Sequence, residues 1–263
     1  ARAIGLESSR LDTGGGNDQV SIQTWLDSAA AGLATASTDL GRIALIHSTV
    51  RLGAGNDQLD LEGAVLGSRL DLGSGDNLLS IDGAVQQSAV LLGPDSRNQI
   101  TLWGETNNSL SLALAPGDRA SVTLLAGEGD DRLEAPLERL AGSIDGGGGR
   151  NALEASGDST LEASEAAPKG AAGDPLRVSL EAPGAGTVGS LEFRRIDRLR
   201  VASKDVRVSV AATAELSGAL EAAAPNPGEG HATLDYSAWQ APVLVNLGLG
   251  TASGILGGIR GFQ

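Results

Sequence analysis

The 263-residue chain has no cysteine and no methionine, and its aromatic rings amount to three tryptophans, two phenylalanines and one tyrosine, 2% of the residues. Without cysteine there is no disulfide framework and no thiol chemistry. So few large rings do not fill an ordinary globular core, but they suit thin layers filled by Leu, Val, Ile and Ala. No apolar run approaches the ~20 residues that span a bilayer, and the first twelve residues carry no signal-peptide pattern, so membrane insertion is not expected. The absence of methionine even at position 1 is expected of a processed product or a piece of a longer chain. Positive charge is also scarce. Nineteen Lys and Arg against 33 Asp and Glu leave a formal net charge of −14, which argues against nucleic acid or an anionic membrane as partner, because phosphates would be repelled.

Glycine is abundant, at 38 residues, and it recurs in register. From Ser48 to Ser109 three copies follow one another, and the first glycine of each turn falls at Gly53, Gly73 and Gly93, steps of 20 and 20. An alternating strand follows each turn, with Leu59 and Leu61, Leu79 and Ile81, then Ile100 and Leu102 in matching places, and Gly63, Gly83 and Gly104 close these strands. No single copy can bury its own apolar face, so a fixed period of this kind predicts copies stacked on one another. The expected fold class is all-β: a right-handed parallel β-solenoid, of β-helix or β-roll type, with coils of about 20 residues and Gly53, Gly73 and Gly93 in one column.

Along the chain, residues 11–22 carry the turn once, with Gly14 lying 39 before Gly53. A coil without the glycine signature is expected between them, from Trp25 to Ser48, with Ile43, Leu45 and Val50 pointing inward and Ala29 to Ala36 bulging out. After Ser109 the phase slips, and the motif returns with Gly127 and Gly147, again 20 apart. Residues 156–175 are small, polar and punctuated by proline, a loop signature. The segments L-R-V-S-L, S-L-E-F-R-R-I-D-R-L-R-V and V-R-V-S-V then alternate with period two and predict more strands. The expected organisation is solenoid coils over 1–157, a loop or linker over 158–176, and continuing solenoid or spacer repeats over 177–263. An open last rung is a sticky sheet edge, so self-association end to end is expected.

Each turn pairs glycines two apart, as in Gly53/Gly55 and Gly73/Gly75, and an Asp or Asn follows. These turns resemble the calcium-binding nonapeptide of the repeats-in-toxin (RTX) family, G-G-x-G-x-D-x-hydrophobic-x. The resemblance implies Ca²⁺ held between adjacent turns, with Asp18, Asp57 and Asp131 in the ligand position and Asp76 and Asp130 one residue earlier. Departures weaken that implication. The family has two nonapeptides per coil where this chain has one, the ligand position reads Asn77, Asn98 and Asn151 elsewhere, and Arg97 and Arg150 sit in two of the turns. Asn and Asp are also good turn residues that bond their own backbone without any metal. The stretch from Leu234 to Phe262 is similar to a spacer of giant secreted bacterial adhesins, which implies an extracellular, cell-surface setting.

An enzyme is not expected. The carboxylates Asp60, Glu62, Asp71 and Asp82 alternate with inward residues as a solvated face does, and neither His47 nor His231 has a visible partner. No G-x-S-x-G, H-E-x-x-H or complete P-loop occurs. Trp25, Trp103 and Trp239 would stack on a sugar if exposed and close together, so the alternative reading is a carbohydrate-binding or carbohydrate-active β-helix with a cell-surface glycan as partner. The function expected is a non-enzymatic structural segment of an exported surface, adhesin or filament protein, acting as a rigid spacer or self-assembling element.

Overall fold

The computed structural model describes residues 3–24, 42–136, 139–156, 175–223 and 230–262, and every regular element among them is a β-strand. The strands follow from alternation. In Gln58–Glu62 the aliphatic Leu59 and Leu61 turn inward while Gln58, Asp60 and Glu62 stay half-exposed, the period-two pattern of a sheet with one wet face. The chain divides into two compact units, Ala1–Leu133 with Gly147–Gly149, and Glu134–Gly146 with Arg150–Gln263.

The first unit is built from three parallel sheets that the chain visits in rotation. One contains Ala3–Glu7, Arg42–Ile46, Ala64–Leu66 and Val85–Gln86. The second orders Arg10–Asp12, Thr49–Arg51, Arg69–Gly73, Ser88–Leu92 and Ser109–Leu114. The third orders Gln19–Gln23, Gln58–Glu62, Asp76–Asp82, Ser96–Trp103 and Ala120–Leu125. One strand from each sheet makes a rung, and successive rungs pair in register, Leu59 with Leu79 and Leu79 with Ile100. The core is the sum of these columns. Val50, Leu70 and Val90 form one and Leu61, Ile81 and Leu102 another, all at most 2% exposed. Burying each such side chain contributes about 1.5–3 kcal/mol relative to leaving it in water.

The expected extra coil between Gly14 and Gly53 is absent. Gln19 pairs directly with Gln58 and Arg10 with Thr49, so a sequence step of 39 is a single rung step. Arg42–Ile46 belongs to the same rung as Gly53, and Ile43, Leu45 and Val50 are buried in it. A Cβ built on Gly53 would lie 1.5 Å from the Gly14 carbonyl oxygen, which leaves no space for an intervening strand. The expected bulge from Ala29 to Ala36 lies outside the described residues.

The second unit keeps a parallel sheet, Ala152–Ser156, Arg198–Ala202, Leu220–Ala223 and Ile259–Arg260. Its other sheet departs from simple repetition. Leu140–Asp145 pairs in parallel with Leu191–Arg194, which is followed across the sheet by Ala185–Val188 and Leu176–Ala182 in antiparallel pairing. Asp205–Val210 and His231–Asp235 then continue in parallel. The antiparallel strand follows from a tight turn, Ala182 to Ala185 through Pro183 and Gly184 at φ +62°, that reverses the chain. Of the segment 158–176 expected as a loop, only its last residues are described, and a strand already begins at Leu176.

The glycine column sets the rung spacing. Ser74 N–H donates to the Gly53 carbonyl at 3.0 Å, Gly93 N–H to the Gly73 carbonyl at 2.9 Å, and a Cβ on Gly73 would sit 1.6 Å from Gly53 O. At Gly14 a Cβ would meet nothing within 4 Å. Gly73→Ala should therefore cost about 3 kcal/mol or more, strain and collision together, whereas Gly14→Ala should cost only the ~1–2 kcal/mol of a left-handed alanine. Paired urea melts measure the difference, and equal losses would contradict the stacked column.

Candidate functional site

The residue after the second glycine points into the molecule. Asp57, Asn77 and Asn98 are 2%, 3% and 4% exposed, and their side chains form a ladder from rung to rung. Asp57 Oδ1 accepts the Asp18 backbone N–H at 2.8 Å, Asn77 Oδ1 accepts the Asp57 N–H at 3.0 Å, and Asn98 Oδ1 accepts Asn77 Nδ2 at 3.2 Å. The turn bends these amides out of the sheet ladder, and a buried N–H left without an acceptor is costly, so the side chain of the next rung supplies one. The Asn77 amide also reaches the carbonyls of Gly73 and Gly75, both at 3.5 Å, which lie within its own turn.

The residue before it does the reverse. Asn17 Oδ1 accepts from Asn56 N–H at 2.9 Å, Asn56 Oδ1 from Asp76 N–H at 2.9 Å, and Asn107 Oδ1 from Asp130 N–H at 2.8 Å. Asp76 and Asp130 accordingly stand on the outside, exposed, with Asp76 Oδ2 3.9 Å from Arg97 Nη1. Of the five expected ligands, Asp18 and Asp57 share one column, Asp131 stands in another, and Asp76 and Asp130 face solvent. Among the described residues no three His, Cys, Asp or Glu side chains converge as a metal-holding group. The second carboxylate oxygens of Asp18 and Asp57 are nevertheless buried without a hydrogen-bond partner.

The sequence reading missed Asn108, which carries the second ladder. Its backbone N–H donates to Asp131 Oδ1 at 2.8 Å, its Nδ2 donates to the same oxygen at 2.9 Å, and its own Oδ1 accepts the Val85 N–H at 3.0 Å. Gly104-Glu105-Thr106-Asn107-Asn108 is the turn with its second glycine replaced by threonine, and alignment to Gly127-Glu128-Gly129-Asp130-Asp131 exposes it. The phase slip after Ser109 is this motif moving to another corner, since Asn108 leads into the second sheet whereas Asp57 leads into the third. A third ladder uses serine. Ser48, Ser68 and Ser88 are buried, and each Oγ accepts an N–H, from Ser9, Ser48 and Ser68 respectively, at 3.1 Å.

The histidines and tryptophans form no reactive or sugar-stacking group. His47 is an exposed corner residue at φ +48°, and His231 is also exposed. Trp103 is 54% exposed with its Nε1–H on Ser80 Oγ, while Trp239 donates to the Val210 carbonyl and meets Tyr236 edge-on at 5.5 Å. Trp25 lies outside the described residues. In the second unit Asn151, 1% exposed, repeats the inward turn role, donating its N–H to Asp197 Oδ2 at 2.8 Å. The Arg207 guanidinium, 2.6 Å away, holds the Asp235 carboxyl well below the usual carboxylate range.

Burial pushes the Asp131 carboxyl up to about 6; the two Asn108 donors act against the rise, and the Asp130 carboxylate adds to it. A folded-state pKa above the ordinary value of 3.8 stabilises the fold fully below that value, and the stabilisation is lost as pH rises through about 6. Asp131→Asn keeps an oxygen for both Asn108 donors and removes the titration. The variant should gain about 2–3 kcal/mol on the wild type between pH 4.5 and 7.5, read from urea melts at each pH, and parallel stability curves would refute the assignment. Comparison with known protein families, curated proteins and solved structures finds no match to this chain.

Proposed function

We propose that the chain is a non-enzymatic, right-handed parallel β-solenoid with coils of about 20 residues, serving as a rigid spacer in an exported bacterial surface, adhesin or filament protein. The observation that carries this reading is the unbroken rung register, Gln58 to Leu78 through Glu62 to Asp82, reinforced at the corners by buried side-chain ladders. Main-chain bonds along one axis, a continuous aliphatic column and charged outer faces make a stiff, soluble rod element. The likeness of the turns to RTX repeats and of residues 234–262 to adhesin spacers supports an extracellular setting. Among the described residues no helix is long and apolar enough to cross a membrane.

The Ca²⁺ that the resemblance implies is best supported at one place. Asp18 and Asp57, in adjacent rungs, each bring a buried carboxylate oxygen without a hydrogen-bond partner. An ion there would be held by these two carboxylates and neutralise their mutual repulsion. One rung further on, the Asn77 amide lies against the turn carbonyls in place of a cation. The glycan alternative draws on Trp103 alone, whereas stacking platforms use several rings close together.

Deleting one whole period, residues 69–88, joins Ser68 to Ala89 and should leave a folded chain with a cooperative but less stable melt, because stability in a stacked repeat is a sum of neighbour terms. Deleting half a period, residues 69–78, should abolish folding; equal damage from both deletions, read by circular dichroism, would end the solenoid reading. Calorimetric titration should find a single weak Ca²⁺ site of Kd ~10⁻⁴–10⁻³ M, worth about 1.4 kcal/mol at ten times Kd. Asp57→Asn should remove it while the fold persists, and no heat in the wild type would remove the ion but not the spacer.

A further inference from the structure

The first rung carries the same corner devices as the rungs below it, but nothing occupies them. Ala3–Glu7, Arg10–Asp12 and Gln19–Gln23 are each the last strand of their sheet, bonded on one side only. Every later serine in the corner ladder accepts an N–H from the rung before, yet Ser9 Oγ only donates, to Glu7 O. Asp57 and Asn77 likewise accept from the rung before, whereas Asp18 Oδ2 is buried with no partner. Over Gly53 and Gly55 lie the carbonyls of Gly14 and Gly16, while a Cβ on Gly14 or Gly16 would find open space. The apolar columns end in the same way. Leu11, Val20 and Ile22 are half-buried and Ile4 is 38% exposed, where their rung neighbours Val50, Leu59, Leu61 and Ile43 are buried.

A surface of the complementary kind lies at the far end of the sequence. Ile259–Arg260 and His231–Asp235 are also last strands. Six of the nine large apolar residues exposed among the described residues, Val243, Leu244, Val245, Leu247, Leu249 and Leu256, cluster there. Two first rungs cannot satisfy one another, since acceptor would face acceptor and Asp18 would face Asp18. A parallel open edge offers N–H and C=O groups in alternation, which is what the vacant acceptors need.

We propose that the first rung, with Ser9, Asp18 and the Gly14–Gly16 turn, is a receiving surface for the last rung of a second copy, so that chains add head to tail by parallel strand pairing. The proposal rests on the stacked-rung reading and gives it a polarity and an end. It is a heterologous interface, which does not close on itself as a symmetric dimer does. Both copies are strongly acidic, so association strengthens as salt screens their repulsion.

Sedimentation of the full 263-residue chain over a wide concentration range tests this. The mean mass should rise continuously past the dimer, and more so at higher salt. Ile4→Lys and Leu256→Lys should each reduce the chain to monomer, because a charge at an open edge blocks pairing. Mixed in equal amounts, the two variants should form dimers and nothing larger, since each retains one good end. A wild type that stays monomeric overturns the proposal, as does a closed dimer, or a mixture of folded variants that remains monomeric. Circular dichroism melts on the same samples separate the two levels: a cooperative β-sheet monomer leaves the spacer reading standing, whereas a chain with no cooperative melt defeats both.

Discussion

Neighbouring strands in a sheet sit about 4.8 Å apart, and in this molecule the corners must keep that spacing as strictly as the strands do. A side chain on the axis of a corner would pry two rungs apart. At Gly73 that position is taken by the carbonyl of Gly53, so the sheet spacing passes through the turn only because no Cβ is there. The same tightness strands backbone amides at the turn ends, and Asp57, Asn77, Ser48 and Ser68 exist to receive them. Glycine and the short polar acceptors are thus two answers to one geometric demand.

The stacking was legible in sequence because it is a period, and a period needs no knowledge of the third dimension. Gly53, Gly73 and Gly93 announce it, and the residues that superpose around them, Leu59 with Leu79 or Leu61 with Ile81, are the ones that pair. What the spacing could not separate was an added rung from an insertion. A gap of 39 residues reads as two periods, yet Gln19 lies directly against Gln58. Nor does position along the chain say which of two adjacent acids turns inward. Asp76 and Asn77 differ by one residue, and the first faces solvent while the second is buried. Asn108 was hidden for a third reason: its turn has lost the second glycine, so the motif that reveals the others is incomplete. The antiparallel strand Ala185–Val188 has the same alternation as its parallel neighbours, and alternation carries no direction.

The choice between Asp and Asn in the ladder has an electrostatic logic. Carboxylates stacked at the rung spacing would repel by about 3 kcal/mol per neighbouring pair at an effective dielectric constant of ~20. Asparagine avoids that cost and adds a donor, so that Asn77 can accept from Asp57 above it and donate to Asn98 below. Aspartate accepts more strongly but has nothing to pass on, which is why charge in the described ladders is confined to the Asp18–Asp57 step and to Asp131. The fold is thereby insulated from pH and cations along most of the stack and responsive at two places. At Asp131 the response is to protons, because burial opposes the charge while Asn108 supports it. At Asp18 it is to whatever approaches the open rung, since that carboxylate belongs to a ladder whose next N–H is not supplied by the described residues.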